Sequence, residues 1–178
     1  MPRLSPDDFD AFLEQPHIGV IATLRRDGAP YTVPVWWLWE PASDGARDAR
    51  GYRRGIIWLT GTTTRVWCRQ LKRDGRASLC IESGPPFTAH VEFDGVCEAR
   101  ELPGFDIWPI SRRLAEKYVG ATGPASPELL EKFWTNMQTE PRLLFRMEPR
   151  VVRAIDMRVY RGKRADRAFQ ARQRANPA

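Results

Sequence analysis

The sequence predicts a mainly β protein, an antiparallel barrel with packed helices. Apolar runs rich in β-branched and aromatic residues are joined by short turns, including the hairpin signal Asp27-Gly28. Helical patterns are few and come late, which argues against alternating βαβ units. The 178 residues are enough for one domain with a sizeable core, and no repeat with a period of roughly 20 to 50 residues recurs.

Composition excludes several classes of protein. Apolar residues make up 42% of the chain, but no apolar run approaches the length of a membrane span, and Met1–Phe9 lacks a signal-peptide pattern. We therefore expect a cytoplasmic protein with no membrane partner. Cys68, Cys80 and Cys97 are expected to be reduced thiols. Two histidines, His17 and His90, leave little material for a metal site or a Ser/His/Asp triad, so no metal is predicted.

The net charge of +6 is concentrated at one end of the chain. Arg158–Ala178 contains seven basic residues and one acid, and the remainder is neutral. A neutral body does not provide the basic face of a nucleic-acid-binding domain. We predict a single domain over residues 1–160, a basic tail over residues 161–178, and no nucleic-acid partner.

The first elements are a short helix and a hairpin. Ser5 is an N-cap residue, followed by proline and two acids, and the helix is expected to end at Pro16. His17–Leu24 and Tyr31–Glu40 are predicted strands on either side of the Asp-Gly turn. Pro34 lies inside the second strand, which predicts a sheet edge or a bulge there.

Three tryptophans stand close together in that second strand. Strand alternation places Trp37 and Trp39 on one face and Trp36 on the other. One face is expected to belong to the core, and the other is either an interface or the bed of a planar ligand.

The stretch Gly55–Leu71 carries the strongest functional signal. It predicts a buried strand over Ile56–Leu59, a turn over Thr60–Thr64, and a helix from about Thr64 to Asp74. The first amides of a helix lack partners and carry partial positive charge, so with Arg65 they form a site for a phosphate. The alternative is a threonine-capped connection with a solvent-facing arginine.

The second half of the chain continues with strands and two helices. Asp94-Gly95 marks an expected bulge or bend in a long strand. Loops are expected at Pro41–Arg54 and Leu102–Pro109. The predicted strands are Arg76–Ser83, Phe87–Arg100, Arg142–Glu148 and Arg150–Arg158, and the predicted helices are Ile110–Val119 and Ser126–Thr139.

Known catalytic motifs are missing from the sequence. It contains no Gly-rich nucleotide loop of the Walker or dinucleotide type, no G-x-S-x-G elbow and no H-E-x-x-H. If the protein is an enzyme, a bound cofactor has to supply the reactivity, and the fold supplies orientation and electrostatics.

Three segments taken together resemble the FMN-binding split-barrel proteins related to pyridoxamine 5'-phosphate oxidase. They are TLRRDGAPYTVPVWW, IIWLTGTTTRVWCRQLKRDGRASLCIE and FTAHVEFDGVCEARE, and the resemblance covers roughly residues 9–158. It implies a six-stranded antiparallel Greek-key split barrel, a homodimer, and FMN held at the dimer interface.

The resemblance also implies site residues. Thr60 would contact the cofactor from the end of the third strand, and Thr64 and Arg65 would hold the phosphate. His90 matches a position where relatives carry a polar residue that reaches the flavin. The ring system would be lined by Val33, Pro34, Val35, Trp36 and Trp37.

The chain departs from the family pattern after the arginine. Many relatives carry a lysine one or two positions later, where this chain has Val66 and Trp67. Arg69 lies one helical turn from Arg65 and is predicted to substitute, while Trp67 could stack on a ring. Some relatives use the deazaflavin coenzyme F-420 in the same groove, so F-420 is the alternative cofactor.

The resemblance implies a flavin-dependent oxidoreductase that transfers hydride to or from a small conjugated substrate. The alternatives are an F-420-dependent reductase of the same fold and a flavin-binding protein without turnover. No catalytic residue is assigned from the sequence, because the C-terminal substrate-phosphate cluster of true pyridoxamine phosphate oxidases has no convincing counterpart here.

Overall fold

The structure, a computed structural model, describes residues 2–84, 89–119 and 127–158. The predicted basic tail lies outside these residues, as do the first two residues of the predicted strand Phe87–Arg100 and the first residue of the predicted helix Ser126–Thr139. In chain order the described elements are α1 (Pro6–Glu14), β1 (Gly19–Leu24), β2 (Pro30–Val35), β3 (Trp37–Pro41), β4 (Gly55–Thr62), α2 (Val66–Arg73), β5 (Arg76–Ser83), β6 (Ala89–Arg100), α3 (Trp108–Val119), α4 (Pro127–Gln138) and β7 (Arg142–Asp156).

The strands form one antiparallel sheet in the order β2-β1-β5-β6-β7-β4-β3. Its two end strands, β2 and β3, are consecutive in the chain and are separated only by Trp36. A sheet whose two ends are joined by one residue has to curl round on itself. The predicted class, an antiparallel barrel with helices, is confirmed, with seven strands in the described residues instead of six.

The predicted strand Tyr31–Glu40 is divided into β2 and β3. Pro34 lies opposite Val20 of β1, whereas Trp37 lies opposite Leu59 of β4. The chain therefore changes partner strands at Trp36. Pro34 lies in an end strand, as predicted. Because β2 pairs with β1 on one side only, a residue without an N–H is tolerated there.

The last strand is continuous where two strands were predicted. Gly95 of β6 lies opposite Pro149, and Asp94 lies opposite Val151, so Arg150 is an extra residue on β7. This bulge accommodates the proline that the sequence suggested would end a strand. A Cβ atom at Gly95 would collide with the carbonyl oxygen of Glu148, which explains the glycine. The predicted irregularity at Asp94-Gly95 is confirmed.

Helix α1 packs its apolar side chains into the core of the barrel. The hydroxyl oxygen of Ser5 accepts the backbone N–H of Asp8 at 3.1 Å, so the predicted N-cap is confirmed. Phe9, Phe12 and Leu13 are fully or almost fully buried in the core. No helix in the described part of the chain is long and apolar enough to cross a membrane.

Helix α2 begins at Val66, two residues later than predicted, with Arg65 as N-cap residue. The hydroxyls of Thr62 and Thr64 lie 2.9 Å apart, within hydrogen-bond distance. No side chain caps the helix, so the alternative of a threonine cap is not realised. The backbone N–H of Arg65 donates to the carbonyl oxygen of Thr62 at 3.1 Å, which tightens the turn between β4 and α2.

Candidate functional site

A cavity of about 400 Å³ lies where the junction of β2 and β3, the end of β4, the start of α2 and helix α4 meet. It is open to solvent on one side. The residues that line it are Ile18, Pro34, Val35, Trp36, Thr60, Arg65, Trp67, Phe133, Asn136, Glu140 and Arg142.

An aromatic wall forms one side of the cavity. The rings of Trp36 and Tyr118 stack with centroids 4.9 Å apart and an interplanar angle of 4°. Phe133 of α4 contacts Trp36 with a centroid distance of 5.4 Å. Stacked aromatic side chains are rigid and apolar, so this wall suits a planar ligand.

Tyr118 fixes that wall to the barrel. Its buried hydroxyl oxygen accepts the backbone N–H of Trp37 at 3.1 Å. The hydroxyl hydrogen can donate to the carbonyl oxygen of His17 at 3.0 Å or to that of Trp37 at 3.1 Å. Burial raises the pKa of Tyr118 well above its usual value, so the hydroxyl stays protonated and continues to donate.

The lining of the cavity also includes polar and positively charged side chains. Thr60 lies near the end of β4 and is almost fully buried. Arg65 is the residue at which helix α2 begins, and its side chain lines the cavity with that of Arg142. The guanidinium of Arg142 lies 3.5 Å from the hydroxyl of Thr60 and donates to the carboxylate of Glu140.

Cys68 lies in the first turn of α2 beside these arginines. Burial raises the pKa of its thiol to about 12, and the charges of Arg65 and Arg142 act in the opposite direction. A thiol with that pKa is protonated at neutral pH, so Cys68 is not a nucleophile.

The structure brings six of the eleven sequence-predicted site residues together in the cavity: Pro34, Val35, Trp36, Thr60, Arg65 and Trp67. Trp67 is almost fully buried, and its ring packs against that of Phe145 at 5.5 Å. Its ring therefore has one face in the core.

The other five predicted residues do not line this cavity. Trp37 is fully buried, with its indole N–H donating to the carbonyl oxygen of His17 at 2.7 Å. Arg69 lines a separate depression with three other arginines. Val33 is half-buried on β2, Thr64 is exposed at the β4–α2 turn, and His90 lies on β6 with Nε2 3.4 Å from a carboxylate oxygen of Glu92.

Sequence reasoning missed the contributions of α4 and β7. Arg142 lies opposite Thr62 in the β4–β7 pairing, and Glu140 precedes it by two residues. Phe133 and Asn136 come from α4. The sequence signal for these residues is weak, because about 80 residues separate Thr60 from Arg142.

The ionisable side chains that line the cavity are Arg65, Glu140 and Arg142. Among the described residues, no group of three or more histidines, cysteines and acids is arranged to hold a metal ion. The lining can therefore bind and orient a ligand, and its one carboxylate, that of Glu140, is the available proton acceptor.

Comparison with known proteins agrees with this architecture. The sequence profile of pyridoxamine 5'-phosphate oxidase matches residues 5–156. The conserved hypothetical protein Rv2991 from Mycobacterium tuberculosis is 26% identical, with a TM-score of 0.60 over 87% of this chain and 86% of that one. No curated protein matches the sequence significantly.

Two further structures share the fold. An F420 reductase is 20% identical, with a TM-score of 0.54 over 80% of this chain and 94% of its own. A FAD-binding protein from Mesorhizobium loti is 18% identical, with a TM-score of 0.50 over 85% of this chain and 92% of its own. With a profile match over most of its length, the chain belongs to the pyridoxamine 5'-phosphate oxidase family.

Proposed function

We propose that the protein is a flavin-dependent oxidoreductase that binds FMN, or alternatively the deazaflavin F-420, in this cavity. The observation that carries the proposal is the pairing of the Trp36 wall with Arg65 and Thr60 in one space of about 400 Å³. An isoalloxazine or deazaflavin ring is planar and apolar on its faces, and its phosphate is an anion. The aromatic wall therefore fits the ring of such a molecule, and the positive charge of Arg65 fits its phosphate.

The known relatives support a cofactor of this type. The family is that of pyridoxamine 5'-phosphate oxidase, and two proteins of the same fold are an F420 reductase and a FAD-binding protein. These relatives favour flavins and deazaflavins as a class. FMN is the first choice because the resemblance in sequence implies it.

The cofactor would supply hydride transfer, and the chain would bind and orient the reactants. Arg65 would hold the phosphate near the N-terminus of α2, and Trp36 with Pro34 and Val35 would border the ring. Because Ile18 and Phe133 extend the apolar part of the lining, a small conjugated substrate stacked near the ring is the class that fits.

We further propose that two copies of the chain share the site. Ile18 and Pro34 line the cavity, and Ile18 and the neighbouring Val20 are exposed by 47% and 44%. Exposed apolar residues at the rim of an open site favour coverage by a second subunit. A homodimer would enclose the ring and exclude water from it.

The test begins with the absorbance spectrum of the purified protein and the mass of any ligand that it releases on denaturation. Titration with FMN and with F-420, followed by tryptophan fluorescence, then measures affinity for each. We expect one of them to bind tightly. If neither binds, the cofactor proposal is wrong.

A flavin-binding protein without turnover is the second candidate, favoured by the scarcity of proton donors and acceptors in the cavity. The bound cofactor is reduced chemically, and candidate oxidants such as quinones are added in the absence of oxygen. Reoxidation that is faster than that of the free cofactor supports an enzyme. Equal rates across a broad panel support the carrier.

A further inference from the structure

Arg142 is a buried cation with unused hydrogen-bonding capacity. Its side chain is only 13% exposed, and its Nε–H is buried without a partner. One terminal nitrogen lies 3.5 Å from the hydroxyl of Thr60, at the limit of a hydrogen bond, and the other donates to Glu140. A buried guanidinium N–H without an acceptor is costly, and a shift of the Arg142 side chain toward an anion in the cavity would relieve this cost.

Arg65 lines the same cavity as Arg142, and the charges of both act on the thiol of Cys68. The side chain of Arg142 is largely buried, whereas Arg65 is exposed at the start of α2, where the helix N-terminus adds partial positive charge. An anion placed among these groups would be attracted by all of them.

Glu140 now provides part of the compensation. It is the only acidic residue among those that line the cavity, and its side chain is 40% exposed. A carboxylate at the mouth of the cavity can rotate into solvent without being buried unpaired. It can therefore leave Arg142 when a stronger anion arrives.

We propose that Arg142 is a second phosphate-binding residue of the cavity and that Glu140 is the internal counter-ion that the phosphate replaces on its guanidinium. This inference rests on the proposed function, because the phosphate is that of the cofactor. It adds Arg142, which lies on β7 opposite Thr62 of β4, to the anion site.

The experiment compares a cofactor with its phosphate-free counterpart. The ratio of affinities for FMN and riboflavin is measured for the wild type and for Arg142→Gln and Glu140→Gln. We expect Arg142→Gln to lower this ratio at least about tenfold, the scale of a hydrogen bond to a charged group. Glu140→Gln should raise the ratio about three- to fivefold, because it removes a competing charge of the strength of an exposed ion pair.

The affinity ratio separates a phosphate contact from a structural role, since misfolding would weaken both ligands together. Arg146→Gln is the matched control, because Arg146 lies on the same strand, pairs with Glu148, and does not line the cavity. If Arg142→Gln keeps the wild-type ratio, or if Glu140→Gln lowers it, the inference is wrong, while the proposed function stands on the wild-type affinity.

If the wild type prefers F-420, the same comparison uses F-420 and its phosphate-free deazaflavin chromophore. If it binds neither cofactor, the proposed function fails, and inorganic phosphate becomes the probe in a calorimetric titration. If the wild type binds phosphate and Arg142→Gln does not, the proposal that Arg142 belongs to an anion site is supported. No binding by the wild type, or equal binding by both proteins, would overturn it.

Discussion

The ring of Tyr118 stacks on Trp36 with centroids 4.9 Å apart, and the hydroxyl of the same tyrosine accepts the backbone N–H of Trp37 at 3.1 Å. Trp36 is the residue at which the chain passes from β2 to β3 and the two ends of the sheet are joined. Through the side chain of Tyr118, helix α3 therefore contacts both the β2–β3 junction of the barrel and the aromatic wall of the cavity.

Tyr118→Phe should destabilise the protein by about 1–3 kcal/mol, the cost of leaving a buried polar group unsatisfied. The substitution keeps the ring on Trp36 but removes the acceptor of the Trp37 N–H. Urea unfolding of the variant measures the loss. Tyr31→Phe, at a half-buried position of β2, is the control and should change stability little. Equal stabilities of wild type and Tyr118→Phe would contradict the assigned role.

Arg65→Ala should weaken FMN binding by roughly 1.5–3 kcal/mol and leave riboflavin binding nearly unchanged, because a charged hydrogen bond to the phosphate is lost. Fluorescence titration with both ligands measures the two affinities. Arg69→Ala is the informative comparison, since Arg69 lines a separate depression. We expect a loss below about threefold for it, the value of an exposed ion pair. Unchanged FMN affinity in Arg65→Ala would show that the phosphate does not bind at Arg65.

The environment of Lys117 predicts that the free energy of unfolding rises with pH. Its ammonium lies 3.6 Å from the centre of the Trp37 ring and donates to the carbonyl oxygen of Leu13 at 3.0 Å. Burial lowers the pKa of Lys117 from 10.5 to about 8, against the opposing charge of Glu14. Between these two values the unfolded chain holds a proton that the folded protein has released. The free energy of unfolding therefore increases as pH rises through this window.

The measurement is urea unfolding at about pH 7.5 and about pH 9.5, where this linkage predicts a gain of about 2 kcal/mol in the wild type relative to Lys117→Met. Lys132→Met changes an exposed lysine of α4 and should keep the wild-type pH dependence. A wild type and a Lys117→Met variant with the same pH dependence would show that Lys117 keeps an ordinary pKa in the folded protein.

Local patterns were enough to predict much of the fold and part of the cavity. The alternation that separates Trp36 from Trp37 and Trp39, the N-cap at Ser5 and the bulge at Asp94-Gly95 each depend on neighbouring residues, and each is confirmed. The grouping of Thr60 with Arg65 follows from one strand-turn-helix connection. These features required no knowledge of the tertiary structure.

What the sequence did not indicate depends on distant pairing. The division of Tyr31–Glu40 follows from the choice of partner strands, since β2 pairs with β1 and β3 pairs with β4. Arg142 reaches the cavity because β7 pairs with β4, and Phe133 because α4 packs beside Trp36. Both contacts join residues about 80 to 100 positions apart.

Val20→Lys should convert the proposed homodimer to a monomer and weaken flavin binding, because it places an unpaired charge in the apolar rim beside Ile18. Light scattering coupled to size-exclusion chromatography gives the mass, and titration with FMN gives the affinity. Leu102→Lys, at another exposed apolar position away from this rim, is the control and should leave both unchanged. A wild type that is already monomeric and binds flavin tightly would defeat the shared-site proposal. A dimer that persists in Val20→Lys would place the interface on another face of the barrel.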